Sequence, residues 1–358
     1  MSFFTSSSER RFIPIAVLSF VTAFALVWLW AVSMPLAFLD REYASWRVKQ
    51  SLLDACDLGD ILVLGDSRAA VGMIPGFFPL KTTNLAIGGG EAVEMWSIVR
   101  RLAHCARPPR QVIVSIDAGH FMHRDLFWDR SVLFGFVTTG DVAFLRALSR
   151  ELDDWTIYRV NRGSDLPALA RDVLYGMKFP SLYFASLVKG GLFRRWAGNL
   201  DVFAASLASR GQYYFGTAAG STEIAVDAKL QHFQPLPVNA WYFEQTLKYF
   251  ASQGIAVTFV AMPMNTATAR AVAPHVAGEF RAWLGGLEAK YPNFGVMGAV
   301  MPHWPDRYFG DAFSHFNPEG AEAFSAALAS CFRAEPWRQA CVERAQQGAI
   351  DLSRAEPG

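Results

Sequence analysis

Asp60-Ile61-Leu62-Val63-Leu64-Gly65-Asp66-Ser67-Arg68 is the stretch from which the fold can be read. Ile61 to Leu64 form an unbroken apolar run, the pattern of a strand buried on both faces of a parallel sheet. Gly65 breaks the run and Arg68-Ala69-Ala70 suits a helix, so Ser67 falls where a strand hands over to a helix. Backbone N–H groups at a helix start lack intrahelical partners and sit at the positive end of the helix dipole. An activated hydroxyl there has the chemistry to attack an acyl carbon beside donors for the oxyanion that forms. Taken alone, Gly-Asp-Ser is equally an ordinary turn with Asp66 or Ser67 as the N-cap.

Outward from this stretch the same rhythm repeats. Apolar strands are predicted over 61–64, 83–87, 111–116, 255–262 and a short 293–300, with helices over 91–106, 240–252 and 318–332. Strands alternating with helices predict an α/β fold, a three-layer α/β/α arrangement around a mainly parallel sheet. The interval 118–237 breaks the rhythm. It is rich in aromatic residues (Phe121, Phe127, Trp128, Trp155, Tyr158, Tyr213, Phe215) and too long for a connection, so it reads as an inserted subdomain or lid.

Hydrophobic residues make up 52% and charged residues 18%, more apolar than a purely soluble chain needs. The excess has a source: no charged side chain occurs from Phe12 to Leu39. About 20 apolar residues span a bilayer core, so 12–35 predicts a transmembrane helix. Arg10 and Arg11 precede it and favour a cytoplasmic tail, 1–11, while Trp28 and Trp30 suit the far interface. The run is longer than a signal-peptide core, and Ala31-Val32-Ser33 is a poor cleavage site. This places a neck at 36–56, the main domain at 57–332 and a tail at 333–358, with the domain on the periplasmic side of the inner membrane. A net charge of +1 and no basic run make nucleic acid an unexpected partner.

Two further stretches bear on Ser67. Asn84-Leu85-Ala86-Ile87-Gly88-Gly89-Gly90 ends the second strand, and its glycines let a backbone N–H approach a ligand. The same run is also what a tight turn requires. A dinucleotide-binding reading fails, because Gly-x-Gly-x-x-Gly is absent. Asp311-Ala312-Phe313-Ser314-His315-Phe316-Asn317-Pro318-Glu319 contains a strong helix start, with Asn317 as cap and Pro318 at the first position. That pins His315 on a short loop, where Asp311 can bind one imidazole nitrogen and leave the other as a base. No His-Glu-x-x-His occurs, so neither a metal nor any other cofactor is expected. Cys56 and Cys105 each precede a parallel strand, so both lie at one sheet edge within reach of a disulfide. Cys331 and Cys341 flank Pro336-Trp337 and offer a second bridge, and four buried thiols are the alternative.

With these residues in order, the chain resembles the SGNH (GDSL-like) hydrolase superfamily over about 53–332. Gly65-Asp66-Ser67 matches its first block, Asn84 to Gly89 its second, and Asp311 to His315 its last. The resemblance implies a flavodoxin-like fold, Ser67 as nucleophile, His315 as base oriented by Asp311, and the N–H groups of Ser67 and Gly89 as the oxyanion hole. The family's third block supplies an Asn, whereas this chain reads Ile116-Asp117-Ala118-Gly119-His120, with His120 as a candidate replacement. The family places two residues between Asp and His, and here there are three. The nearer likeness is to membrane-anchored members, such as the alginate and cellulose O-acetylation proteins and the teichoic-acid D-alanylation protein. It implies a serine-dependent O-acyltransferase, an O-acetyltransferase above all, acting on an exported polysaccharide with an acyl donor or a membrane-bound O-acyltransferase as partner. The alternatives are an acetylesterase with the same site and a non-catalytic partner in polysaccharide export.

Overall fold

The structure, a computed structural model, describes residues 7–122, 126–158, 168–188 and 191–332. The expected tail 333–358, with Cys341, lies outside these residues, as does 1–6. The chain divides into two compact units, Met1–Ala44 with Asp165–Asp201, and Ser45–Ser164 with Val202–Gly358.

In the smaller unit a helix runs over Ser7–Ser33, and its segment Phe12–Ser33 is apolar enough to span a membrane, with mean hydropathy 2.4. Short helices at Pro35–Phe38, Ala168–Gly176 and Pro180–Leu187 complete the unit with the first half of Leu192–Ala208. The stretch expected as one inserted subdomain is therefore shared out, with 165–201 joining the N-terminal helix and the rest joining the larger unit. Phe179 and Phe184 carry this pairing, the first against Phe24 and Trp28, the second against Phe38.

The larger unit is built on a five-stranded parallel sheet. Its strands are β1 (Ile61–Gly65), β2 (Thr82–Asn84), β3 (Gln111–Ser115), β4 (Ala256–Val260) and, later in the chain, β6 (Phe294–Met297), ordered β2-β1-β3-β4-β6. Two short pieces, β5 (Met264–Asn265) and β7 (His303–Trp304), pair separately. Every residue of β1 and β3 is buried, which is why these strands read as continuous apolar runs rather than alternating ones. Gly65 sits at φ 151°, and a Cβ there would collide with the Ser115 carbonyl of the neighbouring strand. Only glycine lets β1 end this close to β3.

Helix Arg41–Asp54 forms where a polar neck is expected, but it is not solvated along its length. In the larger unit Trp46 packs edge-on against Phe134 and Phe136, and Lys49 is buried with its amine donating to the Ala86 carbonyl. The polar letters of this helix conceal a buried face. At the N-terminal edge of the sheet Cys56 and Cys105 form a disulfide, with Cα atoms 5.5 Å apart. The β1, β2 and β3 ends that face the other way carry the residues of interest.

Candidate active site

Ser67 opens the helix Ser67–Gly72 directly after β1. The cap is Asp66, whose Oδ1 accepts the N–H of Arg68 at 2.9 Å and of Ala69 at 3.4 Å. The Ser67 hydroxyl is thus spared from capping. It lies 2.7 Å from His315 Nε2, and His315 Nδ1 lies 2.6 Å from Asp311 Oδ2. The residues expected to act together stand in one hydrogen-bonded line across 248 positions of sequence. Among the described residues no carbonyl accepts the Ser67 N–H, as suits the first turn of a helix.

The loop bearing His315 is held from several directions. Asp311 Oδ1 accepts the N–H of Phe313 at 2.9 Å and of His315 at 3.2 Å, which aims the carboxylate while its other oxygen meets the imidazole. Burial opposes ionisation of Asp311, but the hydrogen bonds from His315 and these N–H groups outweigh it and hold the carboxyl below its ordinary value. Ser314 takes a left-handed backbone (φ 58°), rare for a residue with a side chain, and its hydroxyl meets Asn265 Oδ1 at 3.4 Å. Asn317 caps the following helix through Gly320 N–H at 3.0 Å, so the expected helix start fixes the far end of the loop.

The glycine loop after β2 lies along the end of β1. Leu85 N–H donates to Val63 O at 2.8 Å and Ile87 N–H to Gly65 O at 3.0 Å. Asn84 joins this loop to the Ser67 helix, since its Nδ2 donates to Ala69 O and Met73 O, both at 2.8 Å. Gly89 is left-handed at φ 66°, a conformation that explains the glycine there.

On the other side of Ser67 lies a group of charges. Arg68 is buried, and its guanidinium pairs with Asp227, reaches toward Asp117 at 3.7 Å and donates through Nε to Phe313 O at 3.3 Å. Asp66 Oδ2 accepts the Asp117 N–H at 2.8 Å, and Asp117 Oδ2 lies 2.8 Å from His120 Nδ1. Burial works against charge on His120, yet the carboxylates of Asp117, then Asp66 and Glu91, overcome it and raise the imidazole to about 10. His120 is therefore an imidazolium at neutral pH. The same His120 and Arg68 charges keep Asp117 well below the usual carboxylate range despite its burial. Asn239 completes the group, its amide donating to Glu91 Oε2 at 3.0 Å and to the His120 carbonyl at 3.1 Å.

Several of these partners escape a reading of the sequence. Phe215 stacks on the His315 ring at 4.8 Å, and Gly216 lets that segment lie directly against Gly310. Asp227 is 159 positions from Arg68 and stands in no motif. The aromatic run around Tyr213 was the one available signal, and it points to packing without naming its target.

Two groups of described residues could hold a metal ion: Asp66, Asp117 and His120, and on the surface His232, His275 and Glu279. The first group has its donor atoms engaged and an Arg68 guanidinium beside it, which repels a cation. An open cavity of about 500 Å³, lined by Arg47, Gln50, Ser97, Phe136 and Asp141 among others, includes none of the candidate site residues. No protein-family model and no curated protein matches the sequence, so the site stands on its geometry and chemistry alone.

Proposed function

We propose that the protein is a membrane-anchored serine O-acyltransferase of the SGNH type, acting through an acyl-enzyme on Ser67. The observation that carries this reading is the line Ser67 Oγ–His315 Nε2–Asp311 at 2.7 and 2.6 Å. Counted among themselves, the five sheet strands follow the order 2-1-3-4-5, the flavodoxin-like order. Ser67 and Asp117 follow the adjacent strands β1 and β3, where such sheets place their sites.

In this mechanism Ser67 Oγ attacks the acyl carbon of the donor and its proton passes to His315 Nε2. Asp311 holds the imidazole in the tautomer that accepts this proton and offsets the charge it gains. The oxyanion faces the Ser67 N–H and, on the family pattern, the Gly89 N–H. The His120 imidazolium stands in for the absent Asn as a charged donor. The donor's leaving group takes the proton from His315, leaving acyl-Ser67. An acceptor hydroxyl then gives its proton to His315 and attacks the acyl carbon, and the bond to Ser67 Oγ breaks as that oxygen takes the proton back from His315.

The apolar span supports attachment to the inner membrane, and the Cys56–Cys105 bridge suits a periplasmic, oxidising compartment for the larger unit. An exported polysaccharide is the matching acceptor, with the acyl group delivered by a membrane-bound O-acyltransferase. The test is incubation of the full-length protein with a chromogenic acetyl ester, with and without an oligosaccharide. Acetyl on the sugar supports transfer. Free acetate alone assigns an esterase, and no turnover of any ester assigns a non-catalytic partner.

A further inference from the structure

The least expected surface lies on the smaller unit. In helix Leu192–Ala208, Phe193, Trp196, Ala197 and Leu200 recur at the i, i+3, i+4, i+7 spacing of a single apolar face. In a water-soluble domain such a face turns inward. Here all four are exposed, Phe193 by 78%, and the polar Asn199 is the side chain turned in, 2% exposed. Its Nδ2 donates to Leu36 O at 2.7 Å and Leu39 O at 3.1 Å, just past the end of the apolar span. Elsewhere in the same unit Val188 is exposed at 88%, and Val173 and Met177 are exposed as well.

Phe179, in the same unit, packs against the span itself. Its ring lies 5.8 Å from Phe24 and 5.5 Å from Trp28, both inside Phe12–Ser33. Phe24 precedes Ser33 by nine residues (33 − 24), roughly 13 Å of helix at 1.5 Å per residue. The turn before Pro180–Leu187 therefore sits alongside the membrane-crossing segment and not beyond it.

We infer that 168–188 and 191–200 form a second membrane-contacting element, an interfacial collar whose partner is the phospholipid bilayer itself. Phe193, Trp196, Leu200 and Val188 enter the boundary between headgroups and acyl chains, and the exposed Arg194 among them meets lipid phosphates. Asn199 ties the helix bearing this outward apolar face to Leu36 and Leu39, just past the apolar span, and Phe179 of the same unit lies against the span itself, so lipid is the neighbour of this face. A single span leaves the unit free to tilt, and a second contact beside it restricts that freedom. The inference rests on the reading of Phe12–Ser33 as a bilayer anchor, and its test separates the two.

The experiment uses the full-length protein in vesicles of phosphatidylethanolamine and phosphatidylglycerol carrying a tritiated phospholipid. p-Benzoylphenylalanine is placed singly at Val188, Phe193 and Leu200, with Leu18 as reference inside the span and Val226 as an exposed apolar position of the larger unit. All five side chains are exposed, so the probe disturbs no core. The collar predicts lipid adducts at Val188, Phe193 and Leu200 comparable to Leu18 and several-fold above Val226. Adducts at Leu18 with Phe193 and Leu200 no higher than Val226 would overturn the collar and leave the anchor standing. Lack of adducts at Leu18 would remove the anchor reading and the collar with it. A covalent dimer at Phe193 in place of a lipid adduct would give the face to a second copy of the chain and also overturn the proposal.

Discussion

The two sides of Ser67 are built differently. Toward His315 and Asp311 the contacts come from one short loop, 311–315, whose geometry is fixed by its own backbone N–H groups and by the Asn317 cap. Toward Arg68 the contacts come from distant segments: Asp227 from the interval after 202, Asp117 and His120 from the end of β3, and the Phe313 carbonyl from the His315 loop itself. One side aims an imidazole at a hydroxyl. The other fixes where four segments meet, through charges that cannot be parted cheaply once buried. Local geometry leaves a trace in local sequence, whereas a buried ion pair between remote segments leaves almost none.

The sharpest way to break this contrast is to disable the aim without touching the cluster. Asp311→Asn keeps an oxygen for the Phe313 and His315 N–H groups but favours the wrong tautomer of His315. Ester turnover should fall by about 10⁴-fold with the melting temperature little changed. A loss of only a few-fold would show that something other than Asp311 orients the imidazole.

The converse variant is Arg68→Met, which leaves the buried Asp227 without its cation and Asp117 with His120 alone. Urea unfolding should report a loss of about 3–5 kcal/mol, and Asp227→Asn in the same chain should recover part of it. A double-variant cost equal to the sum of the two single costs would mean that the pair is not coupled. The Cys56–Cys105 bridge lies at the opposite end of the strands, so it should matter to stability alone. Replacing both cysteines by alanine removes a cross-link spanning 49 positions and should cost about 2–4 kcal/mol. Turnover of the folded fraction should stay within about twofold, since a site at the other strand ends feels no direct change.

In the parent protein the smallest net effect is a pH dependence with two opposing parts. His120 is raised from 6.5 to about 10, so its contribution to stability is complete below about 6.5 and is lost as pH climbs through about 10. Burial lowers Lys49 from 10.5 to about 7, which has the opposite sign: stability from this group rises between about 7 and 10.5, where the unfolded chain binds the extra proton. Melting temperatures from pH 7 to 10 should therefore fall more steeply in Lys49→Met and less steeply in His120→Asn than in the parent. Parallel curves for all three would contradict both assignments.

The strands were legible because burial on both faces writes a continuous apolar run, as in Ile61 to Leu64 and Val112 to Val114. The candidate site was legible where capping chemistry marks a helix start, at Asp66-Ser67 and at Asn317-Pro318. Phe215 over His315 and Asp227 under Arg68 were not, because stacking and ion pairing across the fold impose no spacing on the chain. The helix Arg41–Asp54 misleads for a related reason. Its Lys49 looks solvated in sequence, yet it is buried with the Ala86 carbonyl as partner, a pairing that exists only after folding. The interval 165–201 reads as part of an insert, since nothing in its letters says that Phe179 meets Phe24.

An acyl group carried on Ser67 can be trapped during turnover. Full-length protein quenched in acid during turnover of an activated acetyl ester should show one added acetyl by intact mass, and peptide mapping should place it on Ser67. The adduct should be absent from Ser67→Ala and should form far more slowly in His315→Ala. Acetylation confined to another residue, or persisting unchanged in Ser67→Ala while the ester is still turned over, would contradict the account.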